Sequence, residues 1–145
     1  MREDSEKLKT AIYNAQKLHG HLGPFLVIGV RMGKLAETNL NINVTENSKL
    51  EVSAKVPLVT PFSCILDGIQ TTTQCTVGNQ RLKMENSQKE IAADFKLPDN
   101  TMTVSVNQQV VDELMSKISE GASNEELAWE IASMSENRLF TVGKR

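Results

Sequence analysis

A chain of 145 residues fits one domain, 1–145, and is long enough to bury a core without a disulfide or metal staple. Hydrophobic residues at 39% and charged residues at 23% are ordinary soluble values, which sets aside disordered and collagen-like classes. The formal net charge of −2, with no basic block and no interleaved aromatic stripe, leaves no footprint for nucleic acid. The most apolar run, Phe25 to Val30, is broken by Arg31 and falls far short of the roughly 20 residues that span a bilayer, so no membrane role is expected. Met1 to Lys9 is charged and lacks the apolar segment of a secretory signal, so the expected location is the cytoplasm. Two cysteines, Cys64 and Cys75, are too few for a disulfide framework. In a reducing compartment they serve metal binding or redox chemistry, or are simply buried.

Along the chain, Leu8, Ile12, Ala15 and Leu18 recur at helical spacing and predict an amphipathic first helix ending near His19. His-Gly-His-Leu-Gly-Pro interrupts it, and Pro24 suits the first position of a second helix reaching Leu40. That helix is apolar on nearly all faces until Lys34. Its Gly29 and Gly33, one turn apart, suit the close approach of another backbone. Leu50 to Val56 alternates strictly and reads as a half-buried strand. Thr60-Pro61 predicts the start of a helix carrying Phe62, Ile65, Leu66 and Ile69, with Cys64 in its first turn.

Gly78-Asn79 marks a turn, and Leu82 with Met84 suggests a short strand. Two alternating runs follow, Ile91 to Leu97 and Met102 to Val106, joined by Pro98-Asp99-Asn100. Asn107 is placed to cap a helix ended by Gly121, and Ser123 with Glu126 forms a capping box for the last long helix. Leu139 to Val142 suggests a closing strand. The expected class is α+β, a central, mostly antiparallel sheet packed with N-terminal and C-terminal helices.

The chain's two histidines, His19 and His21, flank one glycine. In an extended backbone residues i and i+2 point the same way, so both imidazoles are expected to converge. Divalent ions such as zinc take imidazole nitrogen and thiolate sulfur, and a catalytic site uses three protein ligands with one open position. Cys64 is the natural third donor beside His19 and His21, since a helix N-terminus favours its thiolate and lowers its pKa. Cys75 is a further candidate. The plainer alternative makes His19 a helix-terminal residue and His21 a surface turn residue.

Asp67, one helical turn from Cys64, suits either a carboxylate that orients a ligand histidine or a general base, and so stands as a candidate catalytic residue. Gln70 shares its helical face. Tyr13 and Trp129 read as packing residues. Arg31 reads as a charge at the edge of an apolar helix, with a carboxylate ligand facing it as the alternative.

The segment His19-Gly20-His21-Leu22-Gly23-Pro24, followed by Gly29-Val30-Arg31-Met32-Gly33, closely resembles the opening of the FmdE-like family of formylmethanofuran dehydrogenase proteins. Cys64-Ile65-Leu66-Asp67-Gly68-Ile69-Gln70 resembles the family's Cys-x-x-Asp-(Ala/Gly)-Ile-Gln block, and Cys75-Thr76-x-Gly78 its Gly-Cys-Thr-x-Gly-Lys block. The resemblance implies an α+β core with the histidines and the first cysteine gathered at one pocket. Gly23 stands where many relatives have cysteine, Gln74 replaces the glycine before Cys75, and Asn79 stands where lysine is frequent. The first removes any ligand role at position 23, and the other two weigh against an anion-binding role for the loop. With no cysteine after Cys75, the chain matches the core alone, without the C-terminal zinc-finger extension of some relatives.

Three readings stay open. The first is a metal-binding accessory or ligand-binding protein tied, as the resemblance implies, to formylmethanofuran dehydrogenase subunits, methanogenesis and one-carbon metabolism. Its expected cofactor is a divalent transition metal, zinc in isolation, and its expected partner a small-molecule ligand. The second is a metal-free thiol enzyme using Cys64 with His19 or His21. The third is a structural homodimer, expected because the second helix and both C-terminal helices show more apolar surface than a four-stranded sheet readily covers.

Overall fold

The computed structural model describes residues 2–42 and 49–144. Its elements run α1 (Arg2–His19), α2 (Pro24–Asn39), β1 (Glu51–Val56), α3 (Cys64–Thr73), β2 (Leu82–Asn86), β3 (Ala92–Lys96), β4 (Thr101–Val106), α4 (Gln108–Ser119), α5 (Asn124–Ser133), α6 (Glu136–Leu139) and β5 (Phe140–Lys144). The strands form one sheet in the order β2-β1-β3-β4-β5. All neighbours are antiparallel except β1 and β2, which run parallel because α3 carries the chain back between them. The α+β class stands, with this one parallel pair inside a mostly antiparallel sheet.

Alternation decides which sheet face is covered. Val52, Ala54 and Val56 of β1 share a face with Leu82, Ala93, Phe95, Met102 and Val104, and all are buried. On the opposite face Asp94 accepts a hydrogen bond from Thr103 at 2.6 Å, and Lys96 donates to Ser53 at 3.3 Å. The helices therefore pack on one face only.

Helix α2 is the centre of the helical layer, as its apolar sequence predicts. Every residue from Pro24 to Val30 is buried. Its crossing with α3 is set by glycine. A Cβ added to Gly29 would collide with the Ile65 carbonyl, and one added to Gly68 with the Leu26 carbonyl and the Val30 amide. The two backbones touch where those side chains are missing.

The homodimer expectation rested on unburied apolar helix faces. On those helices Ile28, Val30 and Met32 of α2, Val110, Val111 and Leu114 of α4, and Leu127 and Ile131 of α5 are all at most 4% exposed, while Met115, Ile118, Trp129 and, at the end of α5, Met134 are only partly buried.

Local details depart from the sequence reading in places. Helix α3 begins at Cys64 rather than at Thr60-Pro61, whose residues form a turn around a cis peptide bond. There the amides of Cys64 and Ile65 donate to the carbonyls three residues back, those of Pro61 and Phe62, both at 3.2 Å, a tighter turn than the α-helix that follows. The Arg31 guanidinium donates to the carbonyls of Ile131, at 2.9 Å, and of Met134, closing the C-terminal end of α5. Burial lowers the Arg31 pKa, and the charge of Glu136 opposes that shift. Asn107 precedes α4 without a side-chain cap bond, because its side-chain amide instead donates to the Asn137 and Arg138 carbonyls and accepts from the Thr141 hydroxyl. The Ser123 hydroxyl does accept from the Glu126 amide at 3.3 Å, and Gly20 and Gly121 take positive φ just beyond the ends of α1 and α4. Tyr13 and Trp129 pack edge to face with ring centroids 5.9 Å apart.

Candidate functional site

His19 and Asp67 meet where the C-terminal end of α1 lies against the first half of α3. His19, the last residue of α1, has its ring largely enclosed, with the side chain 13% exposed. Its Nδ1 donates to Asp67 Oδ2 at 2.6 Å, a short charge-assisted contact between segments 48 residues apart. The other nitrogen, Nε2, is buried and has no hydrogen-bond partner among the described residues. A buried nitrogen without a partner is uncommon, because it has lost water and gained nothing.

His21 stands beside it, with ring centroids 4.5 Å apart and planes tilted by 41°. The two rings are adjacent for a different reason from the one expected. His19 still belongs to the helix and Gly20 has φ 101°, so the tripeptide is a helix-terminating turn and not an extended run. The left-handed glycine swings His21 back over the end of α1.

On α3, Cys64 is buried, and the charge of Asp67 reaches it. The expected lowering of its pKa is reversed. Burial pushes the Cys64 thiol above its ordinary range, Asp67 adds to that, and the local backbone amide opposes them weakly. The helix terminus is outweighed because the thiol is dry and has a carboxylate one turn away.

Asp67 is a shared acceptor. Its Oδ2 takes the His19 proton, while its Oδ1 accepts from Gln70 Nε2 at 3.1 Å. Gln70 Oε1 accepts in turn from the Val77 amide at 3.1 Å, so the Thr76–Gln80 loop is tied to the site. Sequence spacing placed Gln70 on the face of Asp67 but carried no signal for Val77, whose contribution is a backbone amide.

Cys75 is elsewhere. It is fully buried, its Sγ donates to the Leu50 carbonyl at 3.3 Å, and its amide donates to the Thr73 hydroxyl. Burial raises its pKa, with the Thr73 hydroxyl and Arg81 opposing and Glu51 adding. The loop after it consumes its own polar groups: Asn79 Oδ1 accepts from the amides of Thr76 and Arg81, and Asn79 Nδ2 donates to the Gln74 carbonyl. Those amides are not free for an anion. Gln74 has φ 60°, the left-handed conformation that favours glycine.

As they lie, no three His, Cys, Asp or Glu side chains among the described residues form a group that would hold a metal ion. What the site offers a cation is a pair of neighbouring imidazoles, one with an unpartnered buried nitrogen and a carboxylate behind it. No helix among the described residues is long and apolar enough to cross a membrane.

These blocks and this fold have relatives. The profile of the family described as FmdE, molybdenum formylmethanofuran dehydrogenase operon, matches residues 18–141, and the chain belongs to that family. A curated protein of Archaeoglobus fulgidus, described as "Probable S-adenosyl-L-methionine-binding protein", is 35% identical over 77 residues. That match covers 52% of this chain and 20% of the relative, so the chain spans about one fifth of that protein's length.

Proposed function

We propose that this FmdE-family protein binds a divalent transition metal, zinc in isolation, through His19, His21 and Cys64, with Asp67 holding His19 in place. It acts as an accessory or ligand-binding component linked to formylmethanofuran dehydrogenase and one-carbon metabolism. The observation that carries the reading is His19: Nδ1 bound to a carboxylate at 2.6 Å and Nε2 buried without a partner. Ligand histidines characteristically give their second nitrogen to a carboxylate or carbonyl, which fixes the ring and raises its basicity. A cation at Nε2 would satisfy the one buried side-chain polar atom among the described residues that has no hydrogen bond.

Cys64 enters as a thiol whose burial disfavours the bare thiolate, so a cation that takes the thiolate displaces its proton and binding strengthens as pH rises. The bound metal would supply Lewis acidity and a coordination position for a small molecule. The protein's own groups supply orientation through Asp67 and a largely dry setting on the His19 side. Formylmethanofuran dehydrogenase subunits are the proposed partners, on family membership alone.

The test is elemental analysis of untagged protein after dialysis, repeated on a His19→Ala/His21→Ala double variant and on Cys64→Ala. About one metal per chain in wild type and loss in the variants is expected. Equal retention in wild type and the double variant would remove this reading. Isothermal titration of the metal-loaded protein with S-adenosyl-L-methionine, the ligand for which the Archaeoglobus relative is described, probes the small-molecule arm.

A further inference from the structure

Val77 carries no chemical side chain, yet its backbone starts a hydrogen-bond chain that ends on His19. The Val77 amide donates to Gln70 Oε1, Gln70 Nε2 donates to Asp67 Oδ1, and Asp67 Oδ2 faces His19 Nδ1. The direction of this chain is not free. A peptide N–H only donates, so it fixes the carbonyl end of the Gln70 amide toward the loop and the NH2 end toward Asp67. Asp67 must then accept at Oδ1, and as a carboxylate it accepts at Oδ2 as well. The proton of the 2.6 Å contact therefore sits on His19 Nδ1. In the neutral ring that leaves Nε2 as the lone pair, and Nε2 is the buried atom without a partner.

We propose that Gln70 is a positioning residue: by clamping Asp67 between the Thr76–Gln80 loop and His19, it holds the His19 ring in the Nδ1–H tautomer with Nε2 presented as a donor. Among the described residues, Gln70 and His19 are the side chains that hydrogen-bond to the Asp67 carboxylate. That carboxylate is 34% exposed, so without Gln70 it is free to turn toward water. The geometry suits the task. Gln70 lies three residues after Asp67 on α3, on the same face, and the loop returns beside it because Asn79 folds residues 74–81 into a tight turn. The consequence for metal binding rests on the reading of His19 as a ligand. The tautomer is a property of the metal-free chain and does not.

Long-range proton–nitrogen correlation spectra of labelled, metal-free protein at about pH 8.5, where an ordinary imidazole is neutral, report the tautomer of each ring. A His21→Ala sample assigns the two histidines. Wild type is expected to show His19 predominantly as Nδ1–H. Gln70→Met keeps length and helix propensity but has no donor for Asp67, and should shift the ratio toward Nε2–H about 5-fold, the weight of one net hydrogen bond. Val77→Pro removes the amide and leaves all three side chains, and should shift the ratio the same way, whereas Val77→Ala keeps the amide and should leave it unchanged.

A wild-type ring in the Nε2–H form, or an unshifted ratio in folded Gln70→Met, overturns the proposal. If Val77→Pro fails to fold, Gln70→Met decides. Zinc titration of the same samples separates the two readings. A wild type that binds no zinc but shows the shift in Gln70→Met ends the metal reading and leaves Gln70 its role, and tight zinc binding with an unshifted ring does the reverse.

Discussion

His19 closes α1 and Asp67 stands in the first turn of α3, and their side chains meet through Nδ1 and Oδ2 at 2.6 Å. This contact joins the histidine block to the cysteine block by a side-chain bond, beside the backbone crossing at Gly29 and Gly68. It also divides the work on the histidine, one nitrogen anchored to the fold and the other buried without a hydrogen-bond partner among the described residues.

Asp67→Asn tests that division. The amide keeps the shape, but if its oxygen faces His19 its NH2 meets the NH2 of Gln70, and if it turns over it meets the Nδ1–H. One donor is left facing another in either orientation. Zinc affinity, measured by competition with a chromogenic chelator, is expected to fall about 10- to 100-fold, as for other partners of ligand histidines. Wild-type affinity in Asp67→Asn would mean that the carboxylate does not support the ring.

Gly29→Ala should destabilise more than an ordinary core substitution. The new methyl would meet the Ile65 carbonyl, a backbone atom that a rotamer change cannot move, so α2 and α3 must separate. A loss of about 3 kcal/mol or failure to fold is expected, at or beyond the upper end of overpacking costs. Urea unfolding checks it, and stability within about 0.5 kcal/mol of wild type would refute the close approach.

Arg31→Met removes the donor that closes α5. Two carbonyls at the end of that helix, Ile131 and Met134, then lose their guanidinium. Hydrogen bonds from charged groups are worth about 1.5–3 kcal/mol each, and loss of the buried charge returns part of that, so a net cost of about 2 kcal/mol is expected. Urea midpoints for the wild type and Arg31→Met report it directly. An unchanged midpoint would mean that the cap contributes nothing.

Alkaline pH should loosen the fold through Cys75. Its folded pKa is raised by burial, so the unfolded chain, with a thiol pKa of about 8.5, releases its proton first. The stabilising contribution is complete below that value and is lost as pH climbs through the folded pKa. Unfolding free energy measured from neutral pH upward should fall more steeply in wild type than in Cys75→Ala. Parallel curves would place the alkaline loss on other groups.

Much of the architecture was legible in the sequence because periodicity reports burial directly. The all-apolar α2, the alternating strands and the Ser123 cap followed from local patterns, and so did the α+β class. The candidate site was legible as chemistry: His19, His21, Cys64, Asp67 and Gln70 were all marked by residue type and spacing. Three things were decided only by the tertiary structure. Gly20 turned an expected extended tripeptide into a helix end, because a left-handed glycine obeys the chain's need to turn rather than its side-chain pattern. Burial beside Asp67 reversed the pKa shift expected of Cys64, because desolvation depends on what packs around a thiol, and no local spacing records that. The link from Val77 through Gln70 and Asp67 to His19 joins a backbone amide to side chains from two helices, and a backbone amide is identical at every residue but proline until folding gives it a neighbour.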